Sequence, residues 1–209
     1  IRPQARHKGD LTTNIKVAFT TKASAQMAAE NGLGQMFVSG ADLDEMTAQV
    51  RMFNKIRGEL GLPPDQPTTL LWMYCAETAS EAEEGWDYFH NQLTAAQHHY
   101  FEWNNPGFEG IHGYEEYLER QTADIGTADA SFEARRATQP IGTPDEIIER
   151  IRILQESLSL EKIVVHMFYG GMPRDKAEKS FRLFAEKVLP AVQAMPTPIN
   201  PRSSGDPVS

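Results

Sequence analysis

Three hydroxyl side chains, Thr20, Thr21 and Ser24, fall within five residues, between an apolar run, Ile15 to Phe19, and a small-residue run, Ala25 to Asn31. An apolar strand, a hydroxyl-rich turn and a helix start are the parts from which an anion cradle is made. The first N–H groups of a helix have no intrahelical acceptor and carry partial positive charge, so oxygen-rich anions bind there. The same hydroxyls also serve the commoner purpose of capping the helix. The local sequence leaves both readings open.

Other residues able to do chemistry are fewer. His166 is the one histidine within an expected strand, where a packing role is the ordinary outcome and acid–base catalysis the alternative. His98 and His99 are adjacent, so from a helix they diverge and do not share a metal; no metal site is expected. Gly32-Leu33-Gly34 follows a helix instead of opening one and lacks a third glycine, which makes it a helix stop and not a dinucleotide fingerprint. The single Cys75 sits in an apolar run and excludes an intrachain disulfide framework.

The elements that must position these residues alternate. Strands are expected at Ile15 to Phe19, Gln35 to Val38, Thr68 to Ala76 and Lys162 to Tyr169. Helices carry the stripes Leu43, Met46, Val50, Phe53, Ile56, Leu60; Trp86, Phe89, Leu93, Ala96, Tyr100; Ile147, Ile148, Ile151, Leu154, Leu158; and Ala177, Phe181, Phe184, Val188. Capping boxes start two of them, at Thr78/Ser80 and at Thr143-Pro144-Asp145-Glu146, and Pro190 is expected to end the last. Residues 108–140 lose the pattern and read as a mobile lid or insertion, and 195–209 as a disordered tail. Alternating strands and helices predict an α/β protein with a parallel sheet. Four strands suit a small doubly wound domain or half of an eight-stranded barrel.

The chain has 209 residues and a net charge of −9, which disfavours nucleic acid and anionic membranes as partners. No apolar run reaches membrane-spanning length and no signal peptide opens the chain, so a cytoplasmic protein is expected. It starts at Ile1, with a polar lead-in, and reads as a chain entered part-way.

Two separated pieces resemble one family. FTTKASAQMAAENGLGQMFVSG is similar to the strand-five-to-six segment of the bacterial luciferase-like flavin monooxygenases. GTPDEIIERIRILQESLSLEKIVVHMFYGGMPRDKAEKSFRLFAEKVLP resembles their closing segment, and the likeness runs from Asp10 to Val192. It implies a TIM (β/α)8 barrel of which residues 1–194 hold strands five to eight, the N-terminal half of the barrel being absent from this chain. It also implies reduced FMN and O2 acting on a small organic substrate, a separate reductase supplying the reduced flavin, and a homo- or heterodimer. In such a barrel Thr20, Thr21 and Ser24 contact the flavin phosphate, and Val38, Ser39 and Gly40 border its ring. Luciferase has an acidic residue where Thr20 stands and a tryptophan where Ser39 stands. Met73, Tyr74, His166 and Phe168, at carboxyl ends of strands, are further candidates. The resemblance leaves two alternatives, a coenzyme F420-dependent oxidoreductase and a non-catalytic flavin-binding subunit.

Overall fold

The computed structural model describes residues 15–19, 21–38, 43–96, 110–111, 132–133 and 135–197. Along the chain run β1 (Lys16–Ala18), α1 (Lys22–Glu30), β2 (Gly34–Val38), α2 (Leu43–Glu59), β3 (Thr68–Trp72), β4 (Tyr74–Cys75), α3 (Ala79–Ala96), β5 (Ile141–Gly142), α4 (Pro144–Leu158), β6 (Lys162–His166), α5 (Arg174–Leu183), a π turn (Phe184–Val188) and α6 (Leu189–Gln193).

The main sheet has the order β1-β2-β3-β6, parallel throughout. Strands follow one another across the sheet in the order in which the chain makes them. A doubly wound sheet would reverse direction part-way and carry helices on both faces. Among the described residues the strand order of this sheet does not reverse, and α3 alone reaches the second face, through Phe89 against Trp72. Val17, Leu71, Ile163 and Val165 turn to one face, where α1, α2, α4 and the π turn cover them with Ala25, Phe53, Met46, Val50, Leu154, Ile151 and Phe184. Side chains alternate along a strand, so Ala18, Met36, Leu70, Trp72, Val164 and His166 turn to the other face. There Ala18, Val164 and His166 are exposed, Val164 by 39%.

Three expectations need correction. The run from Thr68 to Ala76 is two strands, because Met73 breaks the ladder and β4 pairs with β5 in a separate two-stranded sheet. On α5, Phe181 is 53% exposed while Ser180 is buried, since the Ser180 hydroxyl accepts the Cys75 N–H at 2.8 Å. Pro190 does not end the last helix; the π turn shifts the hydrogen-bond register so that Pro190 opens α6, where its missing N–H leaves no gap.

Of the 108–140 segment, the described closing part is packed. Thr138 and Gln139 are fully buried, and Phe132 meets Trp86 edge-on and Phe89 at a tilt, with ring centroids 6.0 and 5.9 Å away. The end of the Trp86 stripe at Tyr100 and the pair His98-His99 lie outside the described residues.

Candidate functional site

All four strands of the main sheet point the same way, so their carboxyl ends form one rim, and β1 contributes the first corner of it. Beyond Ala18 the chain passes through Phe19, whose carbonyl accepts from Gln49 Nε2 of α2 at 3.1 Å, and then turns into α1. Thr21 is the N-cap, with φ −107° and ψ 151°. Its side-chain oxygen accepts the Ser24 N–H at 3.3 Å, and its hydroxyl donates to Ser24 Oγ at 3.1 Å. The Thr21 carbonyl takes the Ala25 N–H at 3.0 Å. Capping is therefore real, and the two expected hydroxyls do meet.

Capping still leaves the first N–H groups of the helix without an intrahelical acceptor. The N–H groups of Lys22 and Ala23 precede the first residue able to bond within the helix. The first turn carries no acidic side chain, whereas α2, α3 and α4 all do. The strands upstream of such turns usually feed helices whose dipole is complemented by Asp or Glu; here Lys22 and two hydroxyls stand instead. That donor set fits a phosphate.

Thr20, Ser39 and Gly40 lie outside the described residues. Val38 ends β2, in register with Leu70. His166 ends β6, three inter-strand steps from β1, or about 14 Å. Met73 is fully buried against Ile147, Ile151 and Phe184, and Tyr74 is buried among Trp86, Phe89 and Tyr169. Both are packing residues. Phe168 is 60% exposed.

Residues that no motif marked organise the far corner. Trp72, not Met73, shares the His166 face, because the two are register partners. Gln139 Oε1 accepts the Trp72 N–H at 3.0 Å. Arg150 donates to the carbonyls of Gln139 and Ile141 at 2.7 and 3.0 Å and lies over the Trp86 ring, which Arg136 also covers. Burial lowers the Arg150 pKa from the usual guanidinium value, and Glu146 opposes that fall. Cys75 is buried and free, its thiol pushed up to about 12 by desolvation. The alternation at Trp72 was the available signal, hidden by reading residues 68–76 as one strand.

A sequence model of the luciferase-like monooxygenase family matches residues 1–160, more than half of the 209. The chain belongs to the luciferase-like monooxygenases. The α/β fold, with its consecutive parallel strands, agrees with the solved structures similar to it. Monooxygenase RslO1 from Streptomyces bottropensis is 23% identical, with a TM-score of 0.56 over 84% of this chain and 47% of its own. The oxygenating constituent of the 3,6-diketocamphane monooxygenase from Pseudomonas putida, a structure in complex with FMN, is 20% identical, with a TM-score of 0.59 over 88% and 50%. The coenzyme F420-dependent tetrahydromethanopterin reductase from Methanopyrus kandleri is 13% identical, with a TM-score of 0.50 over 84% and 50%. At these identities the likeness is one of fold. The chain spans about half the length of these structures. No curated protein matches it. Among the described residues no helix is long and apolar enough to cross a membrane.

Proposed function

We propose that this luciferase-like chain carries the phosphate corner and half of the reaction rim of a flavin-dependent monooxygenase, which uses reduced FMN and O2 to oxidise a small organic substrate. The observation that supports it best is the β1–α1 turn, where Thr21 and Ser24 meet at a helix start free of carboxylates. Thr20, Thr21 and Ser24 would hold the phosphate, and Val38, Ser39 and Gly40 would border the ring. FMN, when bound, supplies the oxygen chemistry. The chain's own residues then fix the phosphate at one corner, lay the ring along the strand ends and keep water from the face.

In this reading the four strands are five to eight of a (β/α)8 barrel, and the face bearing Val164 is barrel interior, closed by four further strands. The consecutive strand order and the packing of α1, α2 and α4 on one face of the sheet support it. A separate flavin reductase, a dimer and a cytoplasmic setting belong to the same reading. A deazaflavin is the alternative cofactor, because the Methanopyrus kandleri structure of this fold is an F420-dependent reductase.

Fluorescence titration of the complete protein with FMN, riboflavin and F420 tests the proposal. Ser24→Ala keeps the Thr21 cap, so it is expected to weaken FMN about fivefold while leaving riboflavin, which lacks the phosphate, unchanged. Equal losses for both, or no FMN binding by the complete protein, would refute the phosphate corner. Tighter binding of F420 than of FMN would move the chain to the deazaflavin enzymes.

A further inference from the structure

The turn that presents Thr21 and Ser24 is held from a second element. The ladder between β1 and β2 ends at Ala18 and Met36, and the next carbonyl of the chain, that of Phe19, accepts instead from Gln49 Nε2 of α2 at 3.1 Å. Gln49 and Phe53 are four residues apart on α2, so they share one face, a single turn from each other. The Phe53 ring, fully buried, meets the Phe19 ring with centroids 5.1 Å apart. One helix thus holds one residue twice, by its side chain and by its main chain.

The two ends of the turn are fixed by different means. At the far end, Ala25, Ala28 and Ala29 are all fully buried and let α1 lie close against Phe19 and Phe53. Packing alone secures that end. At the near end the Phe19 ring is locked in the same cluster, but its carbonyl can rotate about the bonds on either side of the peptide while the ring stays in place, so only a bonded partner sets its direction. That partner is Gln49. A peptide unit is planar, and fixing this oxygen fixes the plane through which the chain enters the cap at Thr21. Half-buried Gln49 donates without placing a negative charge beside the helix start, which an ionised glutamate of the same shape could not do.

We infer that Gln49 is a positioning residue for the phosphate corner, acting through the Phe19 carbonyl and not on the anion itself. The inference rests on the reading of the β1–α1 turn as the phosphate site. Losing one hydroxyl from the turn removes one contact, whereas losing Gln49 frees the near end and misdirects the donors together. Methionine isolates this effect, because it is close to glutamine in length, is a good helix former and has no donor.

The test compares Gln49→Met with the wild type, both as complete protein, by two measurements. Amide exchange without ligand is expected to quicken about fivefold at Ser24 and Ala25, whose N–H groups bond to Thr21, and to stay unchanged at Ala28 and Ala29. Flavin fluorescence is expected to show FMN weakened about fivefold with riboflavin unaffected. Adding Ser24→Ala to Gln49→Met is expected to cost less than the product of the two separate losses, since a misdirected hydroxyl has less binding to lose. A role confined to stability predicts a lower Tm with equal losses for FMN and riboflavin, or with none, and overturns the inference. Weakened FMN with unchanged exchange means that Gln49 acts on the ligand directly, which overturns it as well. Quicker exchange with unchanged FMN binding overturns the positioning role and leaves the phosphate corner standing. No FMN binding by the wild-type protein refutes the corner itself, and the positioning role falls with it.

Discussion

The carboxylate of Asp65 accepts from the Lys16 ammonium at 2.7 Å and from the Gln35 N–H at 2.7 Å, while the Asp65 N–H and carbonyl are taken by Asn54 of α2 at 2.7 and 3.2 Å. One residue in an irregular stretch thereby ties β1, β2 and α2 together at the amino-terminal end of the sheet. Both charged side chains are mostly buried, at 16% and 11% exposure; Lys16 keeps Glu161 at 3.0 Å if Asp65 is removed, but the Gln35 N–H and the Asn54 amide lose the residue that joins them. Asp65→Ala is expected to lower unfolding free energy by about 3 kcal/mol in urea titration; a loss under about 1 kcal/mol would mean the pair is dispensable. No motif flags Asp65, because its importance lies in contacts 30 and 49 residues away in sequence. Gly170 and Gly171 offer a second test at this scale. Both have positive φ, 62° and 78°, yet only Gly170 meets backbone, the Tyr88 carbonyl, where a Cβ would stand. Gly171→Ala is expected to cost about 1 kcal/mol of backbone strain. Gly170→Ala adds overpacking, for about 3 kcal/mol in all. Equal melting temperatures for the two variants would contradict the packed turn.

Among the elements, α4 was the most legible, since Thr143, Pro144 and Glu146 announce its start and its stripe is buried from Ile147 to Leu158. Glu146 accepts both the Thr143 N–H and its hydroxyl at 2.8 Å, and these bonds hold its carboxyl below the usual glutamate range. Folding thus lowers this pKa, and the unfolded chain takes up the proton first as pH falls. The box contributes fully above the unfolded value, about 4.3, and its contribution is lost as pH drops through the folded value. Glu146→Gln is expected to flatten the acid limb of stability against pH between about 5 and 3, measured by urea midpoints; an unchanged slope would remove Glu146 as its source. Where the elements were misread, a tertiary partner had overruled periodicity. Ser180 displaces Phe181 from the inner face of α5 because the Cys75 N–H needs an acceptor, and β4 leaves the line of β3 to pair with β5. Hydrophobic spacing sees neither demand. The candidate site divides along the same line: Thr21 and Ser24 were legible as hydroxyls at a strand-to-helix turn, while Trp72, Gln139 and Arg150 became visible only once the fold brought them together.

At the scale of the whole molecule, α1, α2 and α4 cover one face of the sheet while Ala18 and Val164 on the other are exposed, which is what the proposed arc of a barrel would show. Among the described residues, β1 and β6 have a strand neighbour on one edge only. A free parallel edge and an open apolar face are both unusual in a finished α/β protein, where strands are covered on both sides. Closure into a ring removes both at once, because β1 and β6 each gain a partner and Val164 is enclosed. Hydrogen exchange of the complete protein discriminates the two states. In a ring, the amides of Lys16–Ala18 and Lys162–His166 exchange as slowly as those of Thr68–Trp72, which already lie between two strands. In an open arc the outer strands fray, and their amides exchange faster by orders of magnitude. The second outcome would leave the phosphate corner standing on an unclosed sheet, open to water on the side where flavin chemistry needs it dry, and the monooxygenase reading would lose its physical basis.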